Sequence, residues 1–182
     1  MSAYLVLLFA VLSRILPHFF ATTSVGFTAV GGGLLYFGAR RSRWQALFAV
    51  LALAATDYYL TVFAYGYSFH PSAYFVTWAW YATICLLGHG ILQGKPSMLR
   101  VGVAVLASST SFFVLSNFMV WIGGEMYPHT ASGLAACYVA AIPFYANDVM
   151  STAVTAGALF GLPALAASIA KTVREAQSGR TI

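Results

Sequence analysis

Long apolar stretches separated by short polar, basic or glycine-containing breaks dominate the chain. A helix that crosses a bilayer needs about 20 consecutive apolar residues, and this length divides the sequence into six segments. We predict transmembrane helices over residues 2–20, 25–40, 44–66, 72–93, 100–122 and 149–170. The pattern therefore predicts an all-α integral membrane protein, a bundle of about six transmembrane helices.

Residues 133–145 are apolar but too few to cross a bilayer as a helix. Counting them as a further span would move the C-terminal tail to the other side of the membrane. We therefore predict a short non-spanning helix on the outer face, between spans five and six, either re-entrant or lying on the surface. Because such a segment must be covered by protein or line a cavity, we expect it to act as a lid or pocket wall.

The basic residues predict the orientation. Residues 40–43, 95–100 and 171–180 contain eight of the nine Lys and Arg residues. With six spans, all three regions lie on one side, which the positive-inside rule assigns to the cytoplasm. We predict a single transmembrane domain over residues 1–170, a basic cytoplasmic tail over 171–182, and both termini in the cytoplasm.

Composition agrees with lipid as the main solvent. The chain is 60% hydrophobic and 7% charged, whereas a soluble domain carries about 25% charged residues. The net charge of +5 is accounted for by the basic loops, so we expect a lipid bilayer as partner and no nucleic acid. The first segment lacks a basic n-region and contains Arg14, which favours a retained span over a signal peptide.

Two charged residues are expected inside the hydrocarbon, where charge is rare and costly. At 1.5 Å per residue, Arg14 lies about 18 Å and Asp57 about 19 Å from the predicted inner face. Their matched depth predicts an ion pair inside the bundle. The pair either fixes the register of two helices or faces a ligand cavity that opens outward.

Three histidines are predicted near the outer ends of spans: His18, His70 and His129. With Glu125 and Asp148 nearby, they are candidate ligands for a divalent cation such as Ni, Co or Zn. They come from separate loops without the spacing of a metal motif, so interfacial histidines bonded to backbone or water are the alternative.

Polar and aromatic side chains suggest further contacts. Tyr74, Trp78 and Tyr81 share one face of the fourth span, as part of an interfacial belt or as the lining of a pocket for a flat ring. Asn117 is a candidate ligand contact or an interhelical hydrogen bond. No metalloprotease, serine-hydrolase or nucleotide-binding motif occurs, so we expect neither enzyme activity nor an intrinsic ATPase, and the sequence identifies no cofactor.

Several stretches resemble a family of uncharacterised bacterial membrane proteins of about this length. The matching residues are 14–18, 27–31, Asp57, 70–71, 116–121, 126–128, 133–138 and 141–145. That family is similar to the substrate-binding S components of energy-coupling-factor transporters. The resemblance implies a six-helix protein of the bacterial cytoplasmic (inner) membrane that captures a vitamin or metal ion, with separate ATPase and scaffold subunits as partners.

The sequence departs from this pattern in two places. Gly26 and Ala29 stand where Asn and Pro are expected, which removes a polar group from the expected site. The Ala-x-x-x-Ala motif by which S components dock is absent from the first span, where Ala3 and Ala10 are seven residues apart. Both departures favour an accessory role over transport coupling.

Two hypotheses follow. The first is a substrate-capture subunit that binds a vitamin-like molecule or metal ion at the outer face. Its expected ligand-binding residues are Arg14, Asp57, Asn117, Trp121, Tyr127 and Tyr138. The second is a small structural or assembly subunit of a larger membrane complex. A cavity containing Arg14 and Asp57 would favour the first, and a solid bundle with a broad apolar face would favour the second.

Overall fold

The computed structural model describes residues 1–19 and 27–178, and these residues form helices and no strand. The helices are α1 (Ser2–Phe19), α2 (Val30–Arg40), α3 (Ala46–Tyr59), α4 (Pro71–Ile91), α5 (Met98–Gly123), α6 (Ala131–Ala156) and α7 (Leu162–Ser178). A π-helical turn, Leu60–Ala64, extends α3, and a second, Gly157–Gly161, joins α6 to α7 without a break. The described chain therefore contains six continuous helices, and the predicted all-α fold is confirmed.

The helix ends follow local capping chemistry. The hydroxyl of Ser97 accepts a hydrogen bond from the backbone of Arg100 at the start of α5, and Thr130 does the same for Gly133 in α6. Pro71 occupies the first position of α4, where its missing N–H costs nothing. Four features named in the sequence analysis lie outside the described residues: the predicted helix ends at residues 20 and 25, Gly26 and Arg180.

One end of the bundle collects basic residues. Arg40 donates from Nη1 to the carbonyl oxygen of Gly94 at 3.3 Å. Its guanidinium carbon also lies 6.0 Å from the ring centroid of Phe160, in the turn between α6 and α7. These contacts bring residues 40–43 and 94–100 together with the α6–α7 junction, and we call this end of the bundle the basic end.

The opposite end, which we call the far end, contains the loops 65–70 and 124–130. The ring of His18, near the end of α1, contacts the ring of Tyr65 there, with centroids 5.6 Å apart. Neither loop contains Lys or Arg, and Glu125 is the charged residue in them. The helical bundle thus separates charge in the way that the sequence pattern predicts.

α2 forms the centre of the bundle, with nine of its 11 residues buried. It approaches α4 most closely at two glycines. A Cβ atom at Gly38 would overlap the backbone carbonyl of Cys85, and one at Gly88 would overlap the carbonyl of Leu35. Since backbone cannot move aside as a flexible side chain does, the contact between α2 and α4 requires glycine at both positions.

The predicted separate helix over residues 133–145 is wrong. These residues lie within α6, which begins at Ala131 at the far end and continues through Gly157–Gly161 into α7. Residues 171–178, the first part of the predicted basic tail, are helical and belong to α7.

The physical reason is that the polar pair Asn147-Asp148 does not end the helix. Asp148 lies on the side of α6 that faces α5, where it lines a small cavity together with Ser109. Pro143 is also accommodated inside α6. The helix still runs once from the far end to the basic end.

Three helices in the described part of the chain are long and apolar enough to cross a membrane: Arg43–Ala64, Met98–Gly123 and Ala131–Gln177. Ser2–His18 is a shorter apolar helix. The helix Ala131–Gln177 contains 47 residues, which corresponds to about 70 Å at 1.5 Å per residue. Residues 162–177 are exposed throughout, so the C-terminal part of this helix extends past the bundle, beyond the basic end.

A glycine pair in α4 tests the contact between α2 and α4. Gly88→Ala should lower the free energy of unfolding by about 1–3 kcal/mol, because the new methyl group overlaps backbone. Gly90→Ala is the matched control, since nothing lies within 4 Å of its Cβ position and alanine favours helix. Thermal unfolding of the purified variants measures both effects. Equal melting temperatures for the two variants would contradict the close approach.

Candidate functional site

An ion pair between α1 and α3 lies inside the bundle, as the sequence predicts. Arg14 Nη1 lies 2.6 Å from Asp57 Oδ1. The Asp57 side chain is 2% exposed and that of Arg14 is 22% exposed. A carboxylate buried to this extent is stable in its charged form only when paired and hydrogen-bonded.

Side chains of α4 form further hydrogen bonds with this ion pair. Trp78 donates from Nε1 to Asp57 Oδ2 at 3.0 Å, and the Tyr81 hydroxyl donates to the same oxygen at 3.4 Å. Tyr81 also accepts from Arg14 Nη1 at 3.0 Å. One ionic cluster, Arg14, Asp57, Trp78 and Tyr81, therefore connects three helices.

The π-helical turn after α3 carries a second polar side chain beside this cluster. The Thr61 hydroxyl donates to the backbone carbonyl of Asp57 at 2.7 Å and lies 2.6 Å from the hydroxyl of Tyr74. The Tyr74 ring stacks with the rings of Phe69 and Trp78, at centroid distances of 5.1 and 6.1 Å, and the centroids of those two rings lie 6.3 Å apart. The predicted aromatic face of α4 is confirmed, and it is directed at the ion pair.

A cavity of about 330 Å³ lies against the ion pair on the side of the far end. Its charged lining is Arg14 and Asp57. Its hydroxyl-bearing lining residues are Ser13, Thr28, Thr61, Tyr65, Tyr67 and Tyr74, and Pro17, Phe27 and Leu60 add apolar surface. This volume is at the lower end of the range of small-molecule sites, and the mixture of apolar surface with a few polar groups is typical of them.

The polar groups of the cavity favour a particular kind of ligand. Arg14 has five N–H donors, and the contacts to Asp57 and Tyr81 use those of Nη1. Within the part of the chain that the structure describes, no hydrogen bond or ion pair uses Nε or Nη2, so these two nitrogens can bind an acceptor. Since Asp57 already balances the charge of Arg14, the site suits a neutral or weakly anionic molecule with carbonyl or carboxylate oxygens. The surrounding tyrosine rings provide flat apolar surface.

The other predicted ligand-binding residues do not line this cavity. They lie on the hairpin of α5 and α6 and use their polar groups within it. Asn117 donates to the carbonyl of Phe113 at 2.7 Å, Trp121 donates to Pro128 at 3.0 Å, and Tyr138 donates to Val114 at 2.8 Å. Tyr127 lies in the loop between the two helices. Of the six predicted ligand-binding residues, the structure therefore brings together Arg14 and Asp57 but not the other four.

The three predicted metal-binding histidines are not brought together either. Among residues 1–19 and 27–178, no group of three or more His, Cys, Asp or Glu side chains is placed to hold a metal ion. His18 contacts Tyr65, and the His129 ring lies 5.5 Å from that of Trp121. His70 precedes α4 at its N-cap. The three side chains do not converge, because His18 and His129 each pack against a different aromatic ring and the His70 side chain is exposed.

The cavity also contains residues that sequence reasoning missed. Tyr65 and Tyr67 follow α3, and Ser13 and Thr28 come from α1 and the segment before α2. Ser13 is held in place because its hydroxyl donates to Ala10 O and accepts from the backbone of Ala29. The crowding of tyrosines after the third helix was the available signal. No feature of the sequence indicated that the segment before α2 would line the cavity.

A double-mutant cycle tests the ion pair. Asp57→Asn should lower the free energy of unfolding by about 3 kcal/mol, because Arg14 keeps its charge without a counter-charge. In the double variant Arg14→Met/Asp57→Asn, the decrease in the free energy of unfolding should be smaller than the sum of the two single decreases, by about 1–3 kcal/mol. Thr83→Ala, at an exposed position on α4, is the control and should change little. Additive effects in thermal unfolding would contradict a coupled pair.

Comparisons with known proteins give the family of the chain. No curated protein and no solved structure matches it. A family model described as "Family of unknown function (DUF6580)" matches residues 1–175. The match covers every helix of the bundle and both members of the ion pair, so the chain belongs to the DUF6580 family.

Proposed function

We propose that this protein is an integral membrane protein that captures a small organic molecule in the cavity beside Arg14 and Asp57. The observation that carries the proposal is the position of the ion pair. It lines a cavity of about 330 Å³ at the far end of the bundle instead of being enclosed by packing. Ionisable residues inside a membrane bundle commonly face a substrate path or a cavity.

The surface of the helices supports a lipid environment. α1 exposes Leu5, Leu8 and Phe9, and α5 exposes Val103 and other large apolar residues along its length. A water-soluble protein rarely exposes continuous apolar surface of this extent. In this proposal the chain crosses the bilayer six times, and α2 forms the part of the second crossing nearer the basic end.

α2 requires a particular position in that arrangement. Its 11 residues cover about 16 Å, roughly half of the hydrocarbon thickness. It ends at Arg40 at the basic end, and so it begins near mid-depth, enclosed by other helices. Helices that start at mid-depth commonly border substrate sites in transporters, and Phe27 and Thr28, just before α2, line the cavity.

The ligand that fits this chemistry is a compact, ring-containing polar molecule, such as a vitamin-like compound. The tyrosine rings would stack on its flat part, and Arg14 would bind a carbonyl or carboxylate oxygen. Uptake would require an ATPase and a scaffold as separate subunits, as in energy-coupling-factor transporters. Within this proposal, the basic end faces the cytoplasm of a bacterial cell and the cavity opens outward.

The alternative, an assembly subunit of a larger membrane complex, is favoured by one feature. α7 carries an exposed apolar stripe of Leu162, Leu165, Ile169 and Val173, spaced as on one face of a helix. The first helix offers no small-residue surface for a scaffold, because Ala3 and Ala10 are buried within the bundle. A partner would therefore dock through α7 more readily than through α1.

Native mass spectrometry of gently extracted protein tests the capture of a ligand. The wild type should carry a small molecule of defined mass. Thr28→Trp should abolish its retention, because the indole fills the cavity, whereas Thr83→Trp on the exposed face of α4 should leave it unchanged. Asp57→Asn should weaken retention through loss of the ordered Arg14. If both Trp variants retain the same molecules as the wild type, the cavity is not the binding site.

The orientation has its own test. A reporter enzyme active only outside the cytoplasm should be active when inserted at Glu125, in the loop at the far end. The same reporter should be inactive at Ser97, in the basic end. The physical reason is the concentration of Lys and Arg at the basic end. The reverse result would invert the proposed membrane topology and direct the cavity to the cytoplasm.

A further inference from the structure

A second polar cluster lies between α2, α5 and α6, away from the ion pair. Among the described residues, five buried side-chain oxygens in it have no hydrogen-bond partner of regular geometry: the hydroxyls of Ser108, Ser109, Thr152 and Thr155, and Oδ2 of Asp148. Of these, the Ser109 hydroxyl lies close enough to the Asp148 carboxylate to interact with it. Ser108, Ser109 and Thr152 are fully buried at 0% exposure. Unpartnered polar atoms in an apolar interior are costly, and five in one place require an explanation.

These side chains face one another across the two helices. Asp148, Thr152 and Thr155 are spaced at i, i+4 and i+7 and so lie on one face of α6. A Cβ atom at Gly31 of α2 would lie 2.5 Å from the Thr152 hydroxyl and 3.4 Å from that of Ser108. Both hydroxyls therefore border the same small space beside Gly31.

The carboxylate adjoins this space one turn further along α6. Asp148 and Ser109 both line a cavity of about 50 Å³ between α5 and α6. A cavity of this size has room for an ion or a water molecule. Asp148 has no salt bridge with any cationic side chain in the described part of the chain.

The neighbouring hydroxyls behave differently. Ser111 donates to the carbonyl of Ser108 at 2.9 Å, and Ser151 donates to that of Asn147 at 2.7 Å. Hydroxyls within helices commonly form such bonds to their own backbone. The hydroxyls of Ser108, Ser109 and Thr152 make none of these bonds, so their oxygens are available to a ligand.

We propose that this cluster is a Na⁺ site, in which Asp148 Oδ2 and the Ser109 hydroxyl bind the ion from the cavity wall. The unpartnered hydroxyls of Ser108 and Thr152, which lie beside Gly31 and do not line that cavity, turn toward the ion as further ligands. Carboxylate and hydroxyl oxygens are hard ligands, which suit Na⁺, Mg²⁺ and Ca²⁺ better than transition metals. A single carboxylate balances one positive charge. A divalent ion would leave a net charge in a medium of low dielectric constant, which is strongly unfavourable.

The bound ion would join α5 and α6 at the level where both pack on the glycines of α2. It would neutralise Asp148 and provide a partner for the hydroxyls of Ser108, Ser109 and Thr152. The site uses no residue of the Arg14 cavity, so it stands independently of the proposed capture of an organic molecule.

Thermal unfolding in different chloride salts tests the proposal. Purified protein should melt about 5 °C higher in NaCl than in choline chloride at equal ionic strength and pH, at a Na⁺ concentration far above Kd. KCl should give a smaller increase. Equal melting temperatures in all three salts, or a larger increase in KCl, would overturn the Na⁺ site. The melting temperatures of the wild type in the three salts are sufficient for this test.

Variants then locate the site. Asp148→Asn and Thr152→Val should remove most of the difference between NaCl and choline chloride. Ser151→Ala is the matched control, since it removes a hydroxyl on the same helix that already bonds to the backbone, and it should keep the full difference. If Asp148→Asn does not fold, Ser109→Ala is the substitute. A Na⁺ effect that persists undiminished in these variants would place the ion elsewhere.

Discussion

The buried charge of Asp57 constrains the structure at the far end of the bundle. A carboxylate at 2% exposure needs a counter-charge and hydrogen-bond donors, and it obtains these from α1 and α4. Arg14 supplies the charge, and Trp78 and Tyr81 supply further donors. Three helices are thereby fixed in register at one depth. The side of the pair that packing leaves uncovered becomes the wall of the cavity.

The rest of the bundle is arranged around close backbone contact instead of charge. α2 lies at the centre, and the glycines Gly38 of α2 and Gly88 of α4 bring their backbones together. In a lipid environment, where burial of apolar side chains gains little over contact with lipid tails, such close packing is a main source of helix association. The backbones of α2 and α4 thus pack most closely toward the basic end, whereas the cavity lies toward the far end.

The sequence was informative where a single physical rule decides the outcome. The cost of charge in an apolar medium predicted the pairing of Arg14 with Asp57, and helical spacing predicted the aromatic face of α4. It failed where the outcome depends on three-dimensional packing. The continuity of α6 through Asn147 and Asp148 could not be predicted, because a polar pair that ends a helix and one that faces a neighbouring helix look alike in sequence. For the same reason Asn117 was expected at the cavity, although it bonds to its own helix.

The central claim is that the Arg14–Asp57 pair forms part of a ligand site and does not serve register alone. The most direct measurement is an experimental density map of the protein in lipid nanodiscs, prepared without detergent from its native membrane. We expect density for a compact molecule in the cavity, in contact with Arg14 and the ring of Tyr74. A cavity closed by its own side chains around the ion pair would contradict it.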